Sequence, residues 1–168
     1  MERTIIIVGT VAWRGDTDDP EVLTLRNRLR KNAFAILMCS RGAAMFLAGD
    51  EFCNTQFGNN NAYCQDNIVS WLDWTRKEKY SEMFEFCKFM INLRKNHPIL
   101  RGRSGPSGCG FPEVSIHNKT AWNSNCGPDT RTIGIMFAGR TAGNREDDII
   151  YIGVNAFWEK EEVQLPKL

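Results

Sequence analysis

Histidine is scarce in this chain, with two in 168 residues, and neither stands where chemistry would need it. Six cysteines are present (Cys39, Cys53, Cys64, Cys87, Cys109 and Cys126), yet no CxxC pair occurs and no spacing to His97 or His117 suits zinc. No metal site or cofactor is therefore expected. With no signal peptide recognisable, the thiols read as reduced and the setting as cytoplasmic. An excess of charge of one sign is also missing: 21 Lys and Arg oppose 20 Asp and Glu, which removes any default attraction to nucleic acid. No apolar run approaches membrane-spanning length, since Ile5-Ile6-Ile7-Val8 is far too short. Gly9 and Gly15 are not followed by a GxGxxG, so a dinucleotide-binding turn has no support.

What is present is ordinary for a globular protein. A chain of this length buries roughly 70% of its unfolded surface, enough for a real core. Residues 4–8 and 11–12 read as a β-branched strand. Asp16-Thr17-Asp18-Asp19-Pro20-Glu21 reads as a helix start: Asp18 or Asp19 caps, Pro20 suits the first turn and Glu21 meets the positive dipole end. Val22, Leu25, Leu29, Ala33, Ile36 and Leu37 then trace a buried face. The basic cluster Arg26, Arg28, Arg30 and Lys31 reads as a solvated helix face. Gly42 is the expected stop, and Ala44-Met45-Phe46-Leu47 reads as a strand buried on both sides. A second helix is predicted over Ser81–Asn96, ended by His97-Pro98, with Met83, Phe84, Phe86, Cys87, Met90, Ile91 and Leu93 inward. His97 there complements the helix dipole. Past a Gly, Ser and Pro-rich stretch, the runs 113–117, 132–138, 149–156 and 163–165 alternate with turns as in an antiparallel sheet. A domain boundary is placed near residue 105.

Chemistry concentrates between the helices. Asp50 and Glu51 directly follow the apolar run. A polar loop then carries Asn59, Asn60, Asn61, Tyr63, Gln65 and Asp66, with Trp71 and Trp74 beyond it. Amides offer paired donors and acceptors to sugar hydroxyls, and aromatic rings offer flat apolar faces. The same asparagines can instead satisfy their own turn backbone. Trp71 and Trp74, three apart beside Leu72, suit anchoring the loop as well as stacking on sugar. Trp122 and Trp158 are expected in a sheet core, with sugar binding from the surface as the alternative. Asp66 has no spaced set of acids around it, so no calcium site is assigned. His117 has no triad partner.

Several of these stretches together resemble bacterial glycogen-debranching enzymes of the isoamylase type, in the α-amylase superfamily of glycoside hydrolases. The stretches are Asp16–Leu23, Ala48-Gly49-Asp50-Glu51-Phe52, Gly58–Asn67, Ser70-Trp71-Leu72-Asp73-Trp74, Leu93–Leu100 and Val154–Glu159. The resemblance covers about residues 15–166 and leaves 1–14 unmatched. It implies the last βα portion of a (β/α)₈ TIM barrel over 15–104 and the start of an antiparallel C-terminal β domain over 105–168. Asp50 and Glu51 would then lie at the active-site end of the last barrel strand. The implied substrate is a branched α-glucan such as glycogen, cleaved at α-1,6 linkages. The candidate substrate-binding residues are Asp50, Glu51, Asn59, Asn60, Asn61, Tyr63, Gln65, Asp66 and Trp71.

The implied catalysis needs a carboxylate nucleophile and a carboxylic acid roughly 5 Å apart. In the family these project from upstream strands, and no segment here resembles those motifs. Asp50 and Glu51, as neighbours on an extended segment, would point to opposite sides. No catalytic residue is assigned, and the chain alone is expected to be inactive. A non-catalytic glucan-binding module and a truncated gene product without function are the alternatives. Missing barrel neighbours would leave bare strand edges and an uncovered helix face, inviting self-association or a collapsed arrangement.

Overall fold

A computed structural model describes residues 17–102, 108–139 and 147–168. The strand expected over 4–12 lies outside them. The chain divides into two compact units: one runs to Ser40 and resumes over Ala44–Leu93, and the other comprises Arg41–Ala43 and Arg94–Leu168.

In the first unit, α1 spans Pro20–Cys39 and begins where the capping signal placed it. The Asp19 carboxylate accepts from the backbone N–H of Glu21 (2.9 Å) and Val22 (3.3 Å), with Pro20 in the first turn. A four-residue helix, α2 (Arg76–Lys79), leads into α3 (Ser81–Asn96), again as expected. The core joins Phe34 and Met38 of α1 to Met83, Cys87 and Met90 of α3, with Cys53 from the intervening turn. Spacings of three and four put each helical set on one stripe. Glu82 ties the two helices at their polar margin, accepting from Asn27 Nδ2 at 2.9 Å and from Lys31 Nζ at 2.5 Å.

The inward face of α1 matches the predicted one only in part. Leu29 and Ile36 are exposed at 43% and 55%, while Phe34 and Met38 are buried. Aromatic and sulfur side chains one position round the helix meet α3; of the aliphatic set Leu29, Ala33 and Ile36 stay in solvent, Val22 and Leu25 are half-buried, and Leu37 packs against the core. The strand expected over residues 44–47 does not form either: Met45 is 85% exposed and Leu47 65%. A parallel strand buried on both faces needs ladder partners on each side. All three strands among the described residues lie beyond residue 113.

The second unit holds an antiparallel sheet in the order β1 (Val114–His117), β2 (Thr132–Phe137), β3 (Ile150–Asn155). Val114 pairs with Phe137, and Thr132 with Asn155. The fourth expected run, 163–165, is not a strand; Gln164 N–H instead donates singly to Lys119 C=O at 2.9 Å. Sheet packing buries Met136, Phe137, Ala138, His117 and Thr132. Buried Arg94 donates to Gly42 C=O (2.5 Å) and Leu100 C=O (3.3 Å). His97 does more than face a dipole. Its Nδ1 lies 2.9 Å from the Asp147 carboxylate, whose other oxygen accepts from Ile99 N–H at 3.2 Å. No helix among the described residues is long and apolar enough to cross a membrane.

Candidate functional site

Gly49 sets the geometry of the acidic pair. It adopts φ +99°, and the chain turns at once into a 3₁₀ helix over Asp50–Phe52. A side chain at Gly49 would place Cβ 2.6 Å from Asn54 Cβ and 3.0 Å from Leu72 Cδ2. Only glycine suits both the left-handed conformation and that close approach. The expected extended segment is therefore a tight turn, and its two acids are engaged within it. Asp50 accepts from Leu47 N–H at 3.1 Å, and Glu51 accepts from Gly49 N–H at 2.9 Å. Partial burial raises the Asp50 pKa above the ordinary carboxylate value; the Leu47 bond opposes this, and the Glu51 charge adds to it. Each carboxylate braces its own loop, so they are not a convergent catalytic pair.

Phe52, fully buried, anchors the turn, and Trp74 packs on it with ring centroids 4.9 Å apart. Asn54 fastens the far end of the loop: its Oδ1 accepts from Asp73 N–H at 3.0 Å and its Nδ2 donates to Trp71 C=O at 3.4 Å. Arg76 Nε donates to Cys53 C=O at 2.7 Å. Asn54 and Arg76, neither singled out from the sequence, thus hold the loop closed. Their isolated polar identities carried no periodic signal.

Within the loop the amides are largely self-satisfied. Asn59 Oδ1 accepts from Asn61 N–H (2.9 Å), and Asn61 Oδ1 accepts from Tyr63 N–H (3.1 Å). Asn59 Nδ2 donates to Gln65 Oε1 (3.2 Å), and Gln65 Nε2 donates to Asn61 C=O (3.0 Å). Asp66 accepts from the Trp71 indole N–H at 2.8 Å. These bonds follow the turn reading, in which short polar side chains cap nearby backbone. Their consequence is a braced loop that presents Tyr63 at 83% exposure, Trp71 at 56%, and Asn60. Trp71 and Trp74 anchor the loop from its surface, each more than half exposed, rather than from a core.

A cleft of about 1130 Å³ lies beside this loop within the same unit, lined in part by Arg26, Arg30, Asp50, Phe57, Arg76 and Lys79. Of the nine candidate residues only Asp50 lines it. The loop residues from Asn59 to Trp71 do not line it. Arg26 and Arg30, read from the sequence as a solvated face, are four apart on α1 and both face the cleft.

In the second unit Ser115 and His117 do not form a nucleophile–base pair. Trp122 N–H donates to His117 Nδ1 at 2.8 Å, so that nitrogen is an acceptor. The ring proton therefore sits on Nε2, 2.8 Å from Ser115 Oγ, where it donates to the serine. A histidine in that tautomer cannot take the serine proton. Burial lowers the His117 pKa, keeping the ring neutral. Trp158, expected in the sheet core, is 86% exposed, and Trp122 is 46% exposed. β3 ends at Asn155, so Trp158 lies beyond the ladder, outside the alternation that would turn it inward.

No protein-family model matches the chain. Over 146 residues it is 45% identical to isoamylase 1, chloroplastic, of Oryza sativa subsp. japonica, covering 87% of this chain and 17% of that protein. Over 89 residues it is 47% identical to a glycogen operon protein GlgX homolog of Mycobacterium bovis, covering 53% of this chain and 12% of that protein. Among solved structures, a pullulanase mutant from Paenibacillus barengoltzii complexed with maltotetraose superposes with a TM-score of 0.66 at 26% identity. That match covers 90% of this chain and 21% of the pullulanase. The chain thus spans less than a fifth of the length of these two relatives. It belongs to the isoamylase family and matches a portion of those proteins.

Proposed function

We propose that this chain is the C-terminal barrel portion (15–104) and the start of the β domain (105–168) of an enzyme that hydrolyses α-1,6 branch linkages in a glycogen-like glucan. The N-terminal segment 1–14 lies outside that assignment. In this reading residues 58–74 form a wall of the intact enzyme's substrate cleft, a surface distinct, Gly58 aside, from the cleft lined by Arg26 and Arg30. Tyr63, Trp71 and Asn60 meet the sugar, Asn59, Asn61, Gln65 and Asp66 hold the wall rigid, and Asp50 with Glu51 fixes the turn beneath it. The cytoplasmic setting belongs to the same reading.

The observation that carries it is the loop's internal bonding. Nearly every amide is spent on holding shape, while a tyrosine and a tryptophan stand outward. A ligand meeting such a wall loses little free energy to ordering it. The acids of the turn are tied to backbone N–H groups, so the segment contributes contact and leaves bond cleavage to carboxylates elsewhere in the enzyme. A chimera tests this: residues 15–166 replace the matched region of rice isoamylase 1. Debranching of amylopectin should persist, and Tyr63→Ala within the chimera should raise KM by about two- to tenfold, as expected for losing one aromatic contact. An unchanged KM for both Tyr63→Ala and Trp71→Ala would refute the assignment.

A further inference from the structure

A second pocket lies wholly within the other unit. It holds about 320 Å³ between the β1–β2 connection and the segment after β3, lined in part by Lys119, Asn125, Asp129, Arg131, Phe157 and Glu161. Its walls are tied together. Ala156 N–H donates to Arg131 C=O at 2.7 Å, and Asn155 Oδ1 accepts from Phe157 N–H (2.9 Å) and Thr132 Oγ1 (3.2 Å). Asn155 Nδ2 donates to Glu159 C=O at 2.8 Å, and Lys119 pairs with Glu161 at 2.5 Å. One asparagine at the end of β3 therefore fixes both rims.

The lining selects a class of ligand. Two cations, Lys119 and Arg131, face two anions, Asp129 and Glu161. That balance gives neither a phosphate nor a divalent cation a net attraction. Lys119 and Glu161 neutralise each other, while Asp129 and Arg131 have no side-chain partner among the described residues. The remaining polar groups are hydroxyls and amides. Beside them lies an aromatic face: the Phe157 ring, in the pocket wall, has its centroid 4.0 Å from that of Trp158, which is 86% exposed. Neutral hydrogen-bonding capacity beside a flat apolar face suits a polyhydroxylated ring, whose hydroxyls point outward and whose C–H face is apolar. The volume is at the low end for small-molecule sites, about 300–1,000 Å³, so further rings of a chain would run over Trp158.

We propose that this pocket and Trp158 form a non-catalytic binding site for α-1,4-glucan, separate from the 58–74 wall. The choice of α-glucan over other sugars rests on the debranching reading above. Asp129 and Arg131 take sugar hydroxyls, and Trp158 stacks on the adjoining ring.

The test is a ¹H–¹⁵N NMR titration of the 168-residue chain with maltohexaose, following the indole N–H of Trp158, assigned through Trp158→Phe. A saturable shift is expected. Asp129→Asn should weaken the affinity by about fivefold, the size of a hydrogen bond losing its charge assistance while keeping an acceptor. Trp158→Ala should weaken it by a similar factor when the remaining pocket resonances are followed. The Tyr63→Ala, Trp71→Ala double variant should leave this titration unchanged, which keeps failure of the loop assignment distinct from failure of this one. No Trp158 shift at saturating maltohexaose would overturn the proposal, as would equal affinity for cellohexaose or a full-strength titration in Asp129→Asn and Trp158→Ala.

Discussion

Replacing Gly49 by alanine imposes two costs that a second glycine separates. Gly49 and Gly58 lie in the same unit and both have positive φ, +99° and +84°. At Gly58 an added Cβ meets nothing within 4 Å. Its replacement carries only the left-handed penalty, about 1–2 kcal/mol, partly offset by the reduced entropy of the unfolded chain, about 0.4–1 kcal/mol. At Gly49 the Cβ falls 2.6 Å from Asn54 Cβ. Asn54 has little room to retreat, because its backbone N–H donates to Gly49 C=O at 2.9 Å and its side chain holds Asp73 N–H at 3.0 Å. Overpacking against such a neighbour adds about 1–3 kcal/mol. Gly49→Ala should therefore destabilise the first unit by about 2–4 kcal/mol and Gly58→Ala by about 1 kcal/mol. Urea unfolding followed by tryptophan fluorescence measures both, with equal m-values as the check on a common denatured state. Equal losses for the two variants would show that Asn54 yields freely, and the close-approach argument would fail.

Two further outcomes follow from the environments of single side chains. His117 is buried with its pKa lowered, so the folded state refuses a proton that the unfolded state accepts. Stability should be fully present above the unfolded histidine value, about 6.5, and should fall as pH drops below it; His117→Gln should flatten that slope in urea titrations between about pH 8 and pH 5. Among the thiols, burial pushes Cys87 up to about 11, with the nearby Glu51 charge adding to it, and burial raises Cys53 against the pull of Arg30 and Arg76. Cys64 and Cys126 are exposed. Native-state labelling with a thiol reagent at pH 8 should therefore modify Cys64 and Cys126 first and Cys53 and Cys87 last; early labelling of Cys87 would contradict its packing.

The local signals were legible where the physics is local. Asp19 with Pro20 fixed the start of α1, and His97-Pro98 the end of α3, because capping and proline geometry act within a few residues. The alternating runs at 113–117, 132–138 and 149–156 paired as expected, since hairpin-like neighbours supply each other's ladder. The run at 44–47 has strand composition but no partner strand, and composition alone cannot provide one. On α1 Phe34 and Met38 repeat at the same spacing as the aliphatic set, and only α3 decides that Leu29 and Ile36 face solvent while Leu37 packs against the core. At the candidate site the residue types were legible, and their use was not. Whether Asn59 and Asn61 serve a ligand or a turn depends on backbone conformation that the side-chain identities do not encode. The aromatic character of Trp158 suits a sheet core or an exposed sugar platform alike, and its place past the end of β3 leaves it outward.

The separation of sugar contact from bond cleavage is tested most directly by incubating the purified chain with glycogen and counting new reducing ends, beside Asp50→Asn and Glu51→Gln variants prepared identically. No release above a no-protein blank is expected from any of the three proteins. Sustained release by the unaltered chain that disappears in either variant would place a working carboxylate in the Gly49–Phe52 turn and contradict it.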